Sequence, residues 1–140
     1  MTQAPIDRSV IEQCLGDGAQ GVDQMIADVK GLATQFREHD TGAGNYGLAR
    51  FAHNLKALIV LVQTLRGPIA EIDPPLLAAL PTEQDVETLG SWLESLVDAQ
   101  AGQDWLTVAD VLEYDLEPTL SAWMEQLQML QRQCLQSVAG

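Results

Sequence analysis

Between Asn45 and Arg66 the chain reads NYGLARFAHNLKALIVLVQTLR, and no other stretch constrains the fold as strongly. Leu48, Phe51, Ala52, Leu55, Leu58, Ile59, Val62 and Leu65 recur every three or four residues, which lines them along one face of a helix. The opposite face carries Tyr46, Ala49, His53, Ala57, Val60 and Thr64, small or apolar rather than charged. From Ala57 to Val62 the helix is apolar almost all the way round. Such a helix needs cover on most sides, from its own chain or from a second copy. The spacing predicts the central helix of the fold.

The same periodicity organises the flanks. Asp7 or Ser9 caps a short first helix built on Ile6, Val10, Ile11 and Leu15, which stops at GDGAQG, residues 16–21. A second helix carries Val22, Met25, Ile26, Val29, Leu32, Ala33 and Phe36 and ends near His39. The glycine-rich run from Thr41 to Gly47 reads as a loop. Gly67-Pro68 stops the central helix, and four prolines between residues 67 and 82 predict a stiff connection with one turn at Leu76–Leu80. Thr82 and Asp85 form a variant capping box for a helix through Val86, Leu89, Leu93, Leu96 and Val97, ended by Ala101-Gly102. Asp104 caps the last and longest helix, whose stripe runs from Trp105 through Trp123 to Cys134. Pro118 lies inside that stripe and kinks it one turn earlier. No segment alternates with period two, so no sheet is expected. The chain is predicted to be all-α: an antiparallel four-helix bundle with a short extra N-terminal helix, in one domain over residues 1–140.

Composition narrows the function classes. With 140 residues and 46% apolar side chains the chain can bury one core. No apolar run reaches the roughly 18–20 residues a bilayer span requires, and MTQAPIDRSV lacks an export signal, so a cytoplasmic location is expected. Cys14 and Cys134, far apart in sequence, read as reduced thiols. Net charge is −13 and lopsided: residues 1–66 hold seven acids against six bases, residues 67–140 thirteen against one. So acidic a half disfavours nucleic acid and anionic membrane and favours a protein partner with a basic surface.

Catalytic constellations are hard to find. GDGAQG matches a dinucleotide-binding pattern in letters, but that pattern acts only between a strand and a helix. With two histidines and no Glu-x-x-His motif, neither a metal site nor a cofactor is expected. Asp110, Glu113 and Glu117 align on one helix face and read as a solvated acidic stripe. No nucleophile has a recognisable partner, so enzymatic activity is not expected.

Two stretches carry resemblances. Ala52-His53-Asn54-Leu55-Lys56 resembles the phosphorylated helix of histidine phosphotransfer domains, which are acidic helical bundles with the pattern Ala-His-x-Leu-Lys-Gly. The resemblance implies that His53 accepts a phosphoryl group from a receiver domain and that Lys56, one turn along, balances the anion. A packed core or interface histidine remains the other reading of His53. ADVLEYDLEP, residues 109–118, resembles short uncharacterised bacterial helical proteins, some associated with motility genes, which implies a small adaptor or chaperone-like protein.

The leading expectation is therefore a non-enzymatic protein-interaction module that self-associates as a homodimer through the central helix, with Ala57, Val60, Leu61 and Tyr114 as contact residues. The alternative is a phosphorelay protein acting through His53 and Lys56.

Overall fold

The computed structural model describes residues 8–38 and 41–139. Every regular element among them is helical, so the protein is an all-α bundle, as the periodicity predicts. In order the elements are α1 (Arg8–Arg37), α2 (Thr41–Ile72), a 3-10 turn (Pro74–Ala79), α3 (Glu83–Ala101), α4 (Trp105–Asp110), a π-helical segment (Val111–Leu116) and α5 (Glu117–Ala139). The last three follow one another without a break.

Among the described residues no short separate helix precedes α1. α1 runs straight through GDGAQG, because Ile11, Leu15, Ala19 and Val22 carry the buried stripe across it at intervals of four, four and three. Each interior glycine costs about 1 kcal/mol of helix propensity, less than the burial of the side chains on either side returns. The glycines also let neighbours approach. A Cβ on Gly18 would lie 2.8 Å from Leu61 Cδ2 and 3.6 Å from Leu127 Cδ1, and one on Gly16 would lie 2.6 Å from the Gln131 side chain. Ile6 and Asp7, offered as core and cap of the first helix, and His39, offered as the end of the second, lie outside the described residues.

Two further boundaries differ from expectation. α2 begins at Thr41 rather than after a loop, and it passes Pro68 to end at Ile72. Ile69, four residues after Leu65, is 1% exposed and extends the stripe. Its burial offsets the lost hydrogen bond, and Thr64, whose carbonyl loses that donor, is exposed to water. The Thr82–Asp85 capping box forms, with Thr82 Oγ1 accepting from the Asp85 amide at 3.1 Å and the Asp85 carboxylate from the Thr82 amide at 2.8 Å. Asp104 caps α4 and accepts from the Thr107 hydroxyl and amide, which lowers its pKa below the ordinary carboxylate value. Ahead of Pro118 the winding loosens into the π-helical segment, where the Glu117 amide donates to the Leu112 carbonyl, five residues back.

The hub of the bundle is α1, not α2. α1 packs against α2, α4, the π segment and α5, whereas α2 rests chiefly on α1 and the 3-10 turn. Between α1 and α2 the contacts run in opposite chain senses: Arg8 reaches Asp73, Gly18 meets Leu61, Leu32 meets Gly47 and Phe36 meets Gly44. Phe36 also stacks on Trp105, ring centroids 5.5 Å apart, which ties the end of α1 to α4. The core is wholly apolar among the described residues: no polar or charged residue is buried. Cys14 and Cys134 are free thiols, and burial pushes the Cys134 thiol pKa up.

Candidate docking face on α2

α2 has two unlike sides. Leu48, Phe51, Leu55, Leu58, Val62, Leu65 and Ile69 are buried against the rest of the bundle. The outward side presents Tyr46, Ala49, Arg50, His53, Lys56, Ala57, Val60 and Thr64, all exposed. Tyr46 is 72% and Val60 59% exposed, so the apolar run that seemed to need cover is left uncovered within the chain. Its members divide by position. Leu58 and Val62 are core, Ala57 and Val60 face solvent, and Leu61 is half-buried against Gly18. Leu61 thus belongs mainly to the α1–α2 seam.

The charge of this side is unlike that of the molecule. No acid occurs between Thr41 and Ala70, while Arg50, Lys56 and Arg66 all lie there, three of the chain's seven cations. Arg66 is committed, Nη2 donating to the Pro81 carbonyl at 2.7 Å. Among the described residues no carboxylate lies within ion-pair distance of Arg50 or Lys56. His53 and Lys56 sit three residues apart on this exposed side.

Shallow furrows flank the face. One, of about 430 Å³, lies between α1 and α2 and is lined by Cys14, Gly18, Met25, Ala57, Leu58 and Leu61. Nearer the other end of the same seam, Gly31, Leu32, Tyr46, Gly47 and Arg50 line a second of about 390 Å³. On the other flank α3 lies alongside. Gln100 Nε2 donates to Asn45 Oδ1 at 2.9 Å, and Gln63, Arg66, Glu83, Val86 and Glu87 line a common recess of about 380 Å³.

Other expected sites are placed elsewhere. Tyr114 is 65% exposed on the π segment, away from α2, and is not part of the core, whereas Trp123 is buried. The stripe Asp110, Glu113 and Glu117 is not simply solvated. Arg37 Nη2 contacts Asp110 Oδ1 at 3.1 Å and Glu113 Oε2 at 2.7 Å, and Lys30 Nζ lies 3.6 Å from Glu117 Oε1. These carboxylates hydrogen-bond Arg37 and raise its pKa. The stripe therefore helps fasten the last helix to α1, though solvent screening keeps the contribution of each exposed pair small. Among the described residues no group of three His, Cys, Asp or Glu side chains is placed to hold a metal ion, and no helix is long and apolar enough to cross a membrane.

Missing from the sequence reading were Arg50 as a second cation on the face and the acidic neighbour α3, and Tyr46, though placed on the outer side, was not offered as a contact residue. The signal was present in charge counted helix by helix. Counting by halves hid it, since all seven acids of residues 1–66 precede α2 and mask its three cations.

Comparison with known proteins returns a single kind of relationship. No curated protein and no solved structure matches the chain. Residues 19–126 match a family described as Domain of unknown function (DUF8042), a span from within α1 to within α5 that contains all of α2 and α3. The match covers well over half of the 140 residues, and the chain belongs to the DUF8042 family.

Proposed function

We propose that the protein is a non-enzymatic helical interaction module, adaptor-like, that self-associates through the outward face of α2. The observation that carries this reading is that Val60 and Tyr46, both large and apolar, are more than half exposed on the side of α2 that carries Arg50 and Lys56, which have no ion-pair partner among the described residues, while the other side of the helix is packed. Covering an exposed apolar side chain of this size is worth about 1.5–3 kcal/mol at full burial, before the costs of association are subtracted. Dilution followed by two-dimensional amide NMR tests the location. Resonances of Tyr46, His53, Ala57 and Val60 are expected to shift together with concentration and to stop doing so in Val60→Glu. Shifts confined to other elements would overturn the assignment to α2.

Exposure of His53 favours a second reading, a phosphorelay intermediate. Nε2 would form a phosphorus–nitrogen bond as the acyl–phosphate bond of a receiver aspartate breaks, and Lys56 would balance the added charge. Acid-labile label at His53, passed from a phosphorylated receiver and lost in His53→Gln, is the expected result. Equal labelling of His53→Gln would exclude His53 as the acceptor.

A further inference from the structure

α2 does not present its cations alone. Beside it, α3 turns outward Glu83, Glu87, Glu94 and Asp98, together with Val97 at 52% exposure, and contains no lysine or arginine. The two helices therefore form a two-helix layer, cation-only on the outer side of α2 and anion-only on the outer side of α3. We infer that this layer is self-complementary and docks on a second copy of the chain about a two-fold axis parallel to the helices, α2 of each copy lying on α3 of the other. The inference rests on the self-association proposed above and names the surface that receives α2.

The register follows from contacts within one chain. Asn45 is level with Gln100 at one end of the layer, and Gln63 and Arg66 are level with Glu83 and Glu87 at the other. A two-fold axis along the helices preserves height, so each residue of α2 faces in the partner what lies beside it in its own copy. Arg50 then falls within about one turn, roughly four residues, of Glu94 and Asp98. Lys56 falls between Glu87 and Glu94, and Val60 opposite Glu87 and Ser91. Tyr46 meets the Val97 end of α3. Each pairing occurs twice, as an isologous interface requires. The alternative axis, perpendicular to the helices, would set α2 on α2 and oppose like charges.

Size is adequate. The 19 residues of α3 give a layer roughly 28 Å long and about 20 Å wide, of the order of the ~800 Å² per partner that a standard interface buries. Outside this face the chain is net acidic, which disfavours contact between two copies there. Charge thus selects this face for contact between copies.

Charge reversal with rescue tests the inference. The double variant Arg50→Glu/Lys56→Glu and the double variant Glu87→Lys/Glu94→Lys are each expected to raise the dimer dissociation constant more than tenfold, with circular dichroism unchanged because all four side chains are exposed. Mixed one to one, they restore a dimer containing one copy of each, because the reversed pair on α2 of one copy then faces the reversed pair on α3 of the other. The neutral pair Glu87→Gln/Glu94→Gln weakens the dimer less than the reversal and guards against loss of fold. If the wild type dimerises and reversal on α2 weakens it, but reversal on α3 does not and mixing fails to rescue, the α2-on-α3 arrangement is overturned while self-association through α2 stands. A wild type that stays monomeric at every concentration overturns both.

Discussion

Leu55→Ala is expected to destabilise the fold by about 2–5 kcal/mol, while Val60→Ala, five residues along the same helix, changes folding stability by no more than about 0.5 kcal/mol. Leu55 is fully buried in the stripe that packs α2 on the bundle, so truncation removes contacts and leaves a cavity. Val60 is 59% exposed and touches water, so its truncation leaves the core intact. Urea unfolding checks both, with a lower midpoint and an unchanged slope expected for Leu55→Ala. The order reverses for self-association, where Val60→Ala weakens the dimer through lost apolar contact. A Val60→Ala protein that unfolds as readily as Leu55→Ala would mean that the outward face of α2 is covered within the chain.

The second large contrast concerns glycines. Gly44→Val is expected to cost about 1–3 kcal/mol through overpacking, whereas Gly31→Ala should gain up to about 1 kcal/mol. A Cβ at Gly44 would stand 2.9 Å from two atoms of the Phe36 ring, and that ring is 1% exposed and stacked on Trp105. It has nowhere to go, and displacing it would separate the end of α1 from α4. A Cβ at Gly31 meets no heavy atom within 4 Å. There the substitution only removes freedom from the unfolded chain and improves helix propensity. Thermal unfolding of the two variants beside the wild type gives both signs in one experiment, and equal shifts in the same direction would contradict the packing described at the α1–α2 seam.

How much of this was legible without coordinates depends on which force wrote the signal. Stripes of apolar residues were written by burial, and every one read as core on α2, from Leu48 to Leu65, is buried or half-buried. Side chains that cap helices act locally, so Thr82, Asp85 and Asp104 were read correctly from neighbouring residues. Breakers misled. GDGAQG, the glycines from Thr41 to Gly47 and Gly67-Pro68 carry intrinsic preferences of about 1–3 kcal/mol, and tertiary burial on either side of each outweighed them. That is why two expected helices are one and why α2 is longer at both ends. Partner helices could not be read at all: that Arg37 and Lys30 meet the acidic stripe, or that α3 lies beside α2, depends on contacts between residues 55 to 87 positions apart. The site was half legible. Its inner and outer faces follow from periodicity alone, but its charge became clear only once the acids that precede Thr41 and the cations of α2 were counted separately.

Sedimentation equilibrium of the wild-type protein over a wide concentration range tests the central claim most directly. A chain of 15.2 kDa that docks through α2 is expected to show an average mass rising with concentration toward twice that value, and falling back at 1 M salt, where the screening length shrinks from about 10 Å to 3 Å. A mass fixed at that of one chain throughout would contradict the account, and the exposed face of α2 would then await a different partner.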